Sequence, residues 1–186
     1  VDVEPGTHAK ISTGQRSTKF GVSTDRREAA ILYQRMHNDP NISPAGLAVH
    51  IGSQIQSLLP FEKAYLALLD LGQCLRGEGM QVPTLDLGGG VGVDYVGGAT
   101  PDFTNYGVLV KRIFQDKGFN LGFEPGRAIV AHNGVLLSEV IYVKQSENKR
   151  FIIVDAAMND LIRPTLYEAH HNIEPVSYTH LTLPTK

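Results

Sequence analysis

The sequence predicts an α/β fold built on a parallel sheet, with a β-rich region behind it. Apolar runs end in polar or glycine-bearing positions at His50, Asp86 and Glu124, 36 and 38 residues apart, and each gap holds a helical pattern. Buried strands that alternate with helices pair in parallel, because the crossover helix returns the chain to the same end of the sheet. Beyond Arg127 the pattern changes. Val135 to Lys144 and Arg150 to Asp155 are β-rich runs joined by Gln145-Ser146-Glu147-Asn148-Lys149, as in an antiparallel hairpin. A parallel barrel brings the loops after its strands to one face, and an open doubly wound sheet also gathers ligand groups at strand C-termini. Periodicity alone leaves both architectures open.

Taken in order, Val1-Asp2-Val3 alternates like a strand and lacks a preceding methionine, so the chain is expected to be a piece of a longer protein. Thr7 to Val22 is polar and glycine-punctuated, hence a loop. Thr24 is placed to cap a helix over Asp25 to Met36, with Ala29, Ala30, Leu32, Tyr33 and Met36 near one face and Asn38-Asp39-Pro40 as its stop. Gly46 to Ile51 reads as a buried strand emptying into Gly52-Ser53-Gln54. Pro60 to Arg76 is a strong helix closed by Gly77 and Gly79, and Thr84 to Leu87 is a short strand running into Gly88-Gly89-Gly90-Val91-Gly92. A helix over Phe103 to Lys117 precedes the strand Phe119 to Phe123, which meets the turn Glu124-Pro125-Gly126-Arg127. Asn159 to Asn172 reads as a polar passage, and Ser177 to Lys186 continues neither pattern.

Composition bounds the function. With 42% hydrophobic and 19% charged residues and a net charge of −2, the chain offers no electrostatic case for nucleic acid or an anionic membrane. The lone Cys74 excludes an internal disulfide framework and fits a reducing cytosol. No targeting or membrane segment is evident, since the apolar runs are short.

Each motif, taken singly, supports a plain reading as well as a functional one. The glycine run can surround a phosphate with N–H groups or make a tight turn; it matches neither the dinucleotide fingerprint nor a P-loop, which needs a lysine. His50 can meet a ligand or be a satisfied structural histidine, and Glu124 and Arg127 can hold a charged ligand or pair with each other. No metal-binding spacing appears, because His170 and His171 are adjacent, and no G-x-S-x-G elbow supports a serine hydrolase.

Together, H-I-G-S at 50–53, L-D-L-G-G-G-V-G-V at 85–93 and F-E-P-G-R at 123–127 resemble the barrel domain of the pyridoxal-phosphate-dependent amino-acid decarboxylases of the alanine-racemase-like fold. Ile11-Ser12-Thr13-Gly14, Lys19-Phe20-Gly21, and Asp160 to Tyr167 followed by Ala169-His170-His171 resemble the diaminopimelate decarboxylase branch; ornithine and arginine decarboxylases share only the general motifs. The resemblance covers roughly residues 1–176. It implies a partial (β/α)8 barrel over 1–133, the start of an all-β domain over 134–176, and a tail over 177–186 foreign to the family.

The resemblance also implies roles. His50 would stack on the cofactor ring, Ser53, Gly88, Gly89, Gly90 and the Gly126-Arg127 backbone would hold its phosphate, and Glu124 would bond its pyridine nitrogen. Arg127, Arg163 and Tyr167 would grip the substrate, with no role for His170 or His171. The lysine that anchors the cofactor lies upstream of Val1 in this family, and neither Lys10 nor Lys19 sits in its motif; a late Cys-Glu-Ser-type segment and a tyrosine would follow residue 176. The expectation is a cytoplasmic enzyme, homodimeric when whole, that converts meso-diaminopimelate to lysine and carbon dioxide, with this chain inactive alone. Its rivals are another decarboxylase of the same fold, a non-catalytic pyridoxal-phosphate-binding protein, and an incomplete barrel that binds nothing.

Overall fold

The computed structural model describes residues 2–7, 11–14, 19–23, 26–98 and 100–176. The Thr24 cap and Asp25, Lys10, Val1 and the tail from Ser177 lie outside the described residues. Two compact units emerge, one of 1–94 with 99–134 and one of 95–98 with 135–186.

In the first unit, α1 (Arg26–Asn38) leads to β1 (Gly46–Ala48), α2 (Leu58–Gly77), β2 (Thr84–Asp86), α3 (Phe103–Phe114), β3 (Asn120–Gly122) and the short α4 (Gly126–Val130). The three strands form one parallel sheet in sequential order, with Ala48 beside Asp86 and Asp86 beside Gly122. The expected alternation of strand and helix is therefore present, with each strand shorter than its apolar run. Residues 2–5 form no strand, although one was expected here; Val3 is buried and its N–H donates to the Gly14 carbonyl at 3.0 Å.

The helices bury what their spacing dictates. In α2 Phe61, Ala64, Tyr65, Leu68, Leu71 and Leu75 form one buried stripe at three- and four-residue intervals, and the Ser57 hydroxyl caps the helix by accepting from the Leu59 N–H. Each large apolar side chain buried this way contributes about 1.5–3 kcal/mol relative to exposure. Gly72 lets the helix sit close to the sheet, since a Cβ there would meet the Phe119 ring at 3.2 Å and Leu85 at 3.3 Å. In α3 Tyr106, Leu109, Val110, Ile113 and Phe114 face inward, and the Asp102 carboxylate caps the helix through the Asn105 N–H at 2.7 Å. The helix ends at Phe114, three residues before the expected stop, because Asp116 and Gly118 take positive φ values of 60° and 71° and turn the chain toward β3.

The second unit holds the expected hairpin, β4 (Val140–Gln145) antiparallel to β5 (Arg150–Val154), with a register shift between Val140 and Tyr142. It also holds α5 (Arg163–Tyr167), inside the stretch read from the sequence only as a polar passage. Pro164 explains the difference: proline near a helix start gives up only an N–H that would be unpaired anyway, and its φ is already helical. Among the described residues no helix is long and apolar enough to cross a membrane.

Candidate functional site

At the C-terminal end of the parallel sheet the ladder continues past the strands. The Val49 N–H donates to Asp86 O and the Leu87 N–H to Gly122 O, both at 2.9 Å, and the Glu124 N–H donates to Gly88 O at 2.8 Å. These bonds carry three chains out of the sheet side by side. His50, the Gly88-Gly89-Gly90 run and Glu124 are neighbours as a result.

The glycines are there because the chains touch. Gly88 takes φ +65°, and a Cβ on it would collide with the Val49 carbonyl oxygen; one on Gly89 would collide with the Glu124 carbonyl, and one on Gly90 with the Gly52 carbonyl. The run is thus a hub that joins all three loops. Its N–H groups are divided: Gly88 donates to Asp86 Oδ1 at 2.8 Å, Gly89 donates to His50 Nδ1 at 3.3 Å, and among the described residues the Gly90 N–H has no acceptor. An imidazole nitrogen that accepts from an N–H must present its lone pair, so these partners assign the neutral His50 tautomer with its proton on Nε2.

Ser53 and Arg127 meet across the same end, the Arg127 Nε donating to Ser53 Oγ at 3.2 Å. Arg127 thereby meets Ser53, and among the described residues no ion pair joins it to Glu124; Arg112 pairs instead with Glu62 at 2.7 Å. The Glu124-Pro125-Gly126-Arg127 turn is also the start of α4, where Gly126 opens onto space that a Cβ would not fill with any clash. His50 and Glu124, both exposed, line one cavity of about 740 Å³ with Thr13 and Gly14 of the early loop.

Arg163 and Tyr167 lie in the second unit, at the two ends of α5. Lys19 sits in the first unit with its Nζ 5.5 Å from the Phe20 ring centroid, in no contact with the glycine hub.

Three residues that sequence reasoning left without a role support this arrangement. Asp86 closes the turn into Gly88, a signal legible as an acidic residue two places before a glycine turn. Thr13 donates its hydroxyl to the His50 carbonyl at 2.9 Å. Gln54, at φ 63°, accepts from the Val93 N–H at 3.0 Å and donates to the Val93 carbonyl, tying the loop after β1 to the loop after β2. Nothing in the sequence marks Gln54 for a left-handed conformation.

The family model for the pyridoxal binding domain of pyridoxal-dependent decarboxylases matches residues 1–131. The chain belongs to this family. Its cofactor is pyridoxal phosphate. Diaminopimelate decarboxylase of Zymomonas mobilis is 46% identical over 178 residues, covering 95% of this chain and 42% of that protein. The enzyme of that name from Vibrio cholerae is 46% identical over 176 residues, covering 94% of this chain and 42% of its own length. Among solved structures, diaminopimelate decarboxylase from Helicobacter pylori complexed with L-lysine aligns with a TM-score of 0.90 at 35% identity, over 96% of this chain and 44% of that one. The chain thus spans a little over two fifths of these relatives.

The hub fits a phosphorylated, flat, aromatic cofactor. It offers a Gly90 N–H without an acceptor among the described residues, a Ser53 hydroxyl whose oxygen receives Arg127 while its proton is left to donate, and a neutral imidazole beside an exposed carboxylate at the cavity.

Proposed function

We propose that the whole protein decarboxylates meso-diaminopimelate to L-lysine and carbon dioxide, and that this chain supplies most of its cofactor site as part of a (β/α)8 barrel over 1–133 and the start of a β-domain over 134–176. The observation that carries the reading is the meeting of His50, Gly89 and Glu124 at one sheet end, in a chain 46% identical to enzymes of that name. The cofactor, when bound, supplies an electron sink for the pair left behind as carbon dioxide departs.

The donors and acceptors present support the following roles. His50, neutral and pinned at Nδ1 by Gly89, presents a flat uncharged face to the cofactor ring. Glu124 holds a proton at the pyridine nitrogen, since a carboxylate beside that nitrogen favours its charged form. The phosphate is bound by the Gly90 N–H, the Ser53 hydroxyl and the backbone at Arg127, while Gly88, Gly89 and Gly126 contribute shape and room, their N–H groups being used by Asp86, His50 and the Glu124 carbonyl. With its Nε on Ser53, Arg127 keeps both terminal nitrogens for a substrate carboxylate, and Arg163 and Tyr167 hold the remainder of the substrate. The lysine that anchors the cofactor and the late catalytic segment come from outside this chain, which on its own is inactive. The single cysteine suits a cytoplasmic enzyme, and a homodimer is the assembly proposed for the whole protein.

The test is to load the full-length protein with pyridoxal phosphate and measure carbon dioxide released from meso-diaminopimelate, ornithine and arginine. Release from diaminopimelate alone is expected. Release from ornithine or arginine instead would assign another decarboxylase of the same fold, and cofactor binding without release would assign a carrier.

A further inference from the structure

The second unit contains a histidine whose partners leave it one job. His171 Nδ1 lies 3.2 Å from the Ala169 carbonyl, and its Nε2 lies 3.1 Å from Arg163 Nη1. A carbonyl only accepts and a guanidinium only donates, so Nδ1 carries the proton and Nε2 the lone pair. His171 is therefore neutral, in the tautomer opposite to that of His50, and is set to receive an N–H from Arg163.

The backbone makes the meeting possible. α5 opens at Arg163 and closes five residues later at a left-handed Glu168, with φ 53° and ψ 30°, whose N–H caps the Arg163 carbonyl. A left-handed residue other than glycine costs about 1–2 kcal/mol. That cost is borne here by a turn that reverses the chain and returns His171 to the helix start. Tyr95 completes the surround: the guanidinium carbon of Arg163 lies 5.1 Å from its ring centroid, within cation–π range, and the Tyr95 and His171 rings are 6.3 Å apart. One terminal nitrogen of Arg163 is tied to the imidazole and its plane is set against an aromatic ring. The remaining N–H groups are left in a fixed fork, the arrangement that recognises a carboxylate through two parallel bonds.

We propose that His171 is a positioning residue for Arg163, fixing the guanidinium so that it binds a carboxylate of the substrate bidentately. The inference rests on the reading above that Arg163 grips the substrate. A guanidinium on a free side chain would spend part of its binding energy on becoming ordered, and one held beforehand does not.

The experiment uses the full-length protein with pyridoxal phosphate. Four variants are compared: Arg163→Ala, His171→Leu, His171→Gln and the double variant of Arg163→Ala with His171→Leu. For each, KM and kcat for meso-diaminopimelate, the Kd for L-lysine by calorimetry and the Kd for the cofactor are measured. His171→Leu is expected to raise KM and the lysine Kd about tenfold, the size of a lost hydrogen bond to a charged group, with kcat within twofold and the cofactor Kd unchanged. His171→Gln, whose amide oxygen can accept the same N–H, restores most of the loss. The double variant is no worse than Arg163→Ala alone, because the histidine acts only through the arginine.

If Arg163→Ala weakens lysine binding while His171→Leu does not, positioning by His171 is wrong and the substrate role of Arg163 stands. If Arg163→Ala changes nothing, the role of Arg163 fails and takes this inference with it, while carbon dioxide release from diaminopimelate still decides the activity. Nitrogen-15 shifts of the His171 ring test the geometry in the unsubstituted protein. A proton on Nδ1 supports the proposal, and one on Nε2 overturns it.

Discussion

At the N-terminal end of the parallel sheet one guanidinium closes the entries to β2 and β3, whereas at the C-terminal end glycines and loop side chains hold one another and leave groups over. Arg76 donates from Nε and Nη2 to the Val82 carbonyl at 3.0 and 2.7 Å, from Nη1 to the Lys117 carbonyl at 3.2 Å and from Nη2 to the Gly118 carbonyl at 2.9 Å, with its guanidinium carbon 3.5 Å from the centroid of the Phe119 ring. Those carbonyls precede β2 and β3, so a single side chain from α2 ties together the entries to two strands. The other end has a Gly90 N–H without an acceptor among the described residues and Gly126 facing open space. A saturated end has only stability to lose. An end with unused donors has a ligand to lose, and substitutions should separate the two.

The largest effect is expected from Arg76→Ala. Hydrogen bonds to charged groups are worth more than neutral ones, and leaving three carbonyls unpaired adds to the loss, so a cost of about 3 kcal/mol is expected. Chemical denaturation of the full-length protein measures it, and cofactor titration of the folded variant should stay within twofold. Arg76→Lys should recover little, because an ammonium cannot reach three carbonyls and lie on a ring at once. A large fall in cofactor affinity for folded Arg76→Ala would mean that the two ends are not independent.

Gly89→Ala attacks the opposite end. Its Cβ would collide with the Glu124 carbonyl, so either the hub or the strand end must move, and overpacking of this kind costs about 2 kcal/mol. Because the Gly89 N–H also fixes His50, the loss should appear in the cofactor as a roughly thirtyfold weaker Kd. Unchanged affinity in a protein destabilised by that amount would make Gly89 a packing residue only.

The contrast between the ends was half legible in the sequence. Glycine after an apolar run, a histidine and a carboxylate at spaced strand ends are signals that survive in one dimension, because each marks where a strand must stop. The helices α2 and α3 were legible as helical patterns between those strand ends, whereas Leu66, apolar like its neighbours in α2, is exposed. Bonds such as Gly89 to His50 or Arg127 to Ser53 were not, since they join residues 39 and 74 apart and depend on how loops leave neighbouring strands. Arg76 gave no sign either: in sequence it is one more basic residue near a helix end, and its three carbonyls are chosen by the packing of α2 on the sheet. The hidden helices had mixed signals. Pro164 announces α5, whereas the β-branched Ile129 and Val130 in α4 argue against a helix that nonetheless forms.

Between the two ends lies a buried prop with a pH signature. Tyr65 donates its hydroxyl to the Leu87 carbonyl, one residue before the glycine run, at 3.3 Å, and so receives from Tyr106 at 2.6 Å. Burial, first of all, pushes both hydroxyls above the ordinary value of 10.0. Above that value the unfolded chain releases these protons while the folded one keeps them, so stability is full below pH about 10 and falls as pH rises further. Tyr106→Phe should cost about 1 kcal/mol at neutral pH and make the alkaline decline shallower. A decline equally steep in the variant would assign alkaline unfolding to other groups.

The smallest effect is expected from Gly126→Ala, and it is the most discriminating. Gly126 needs no left-handed conformation, and a Cβ there meets nothing within 4 Å, so stability should move by less than about 0.5 kcal/mol. A glycine here then leaves room that the folded chain alone does not use. If a ligand approaches the backbone at 126–127, an added methyl stands in its path, and the cofactor Kd should rise several-fold in a protein of unchanged stability. Arg76→Ala is expected to give the reverse pair of results, stability lost and affinity kept. A Gly126→Ala protein that binds the cofactor as before would remove Gly126 from the phosphate site and leave the Gly90 N–H and the Ser53 hydroxyl to hold it.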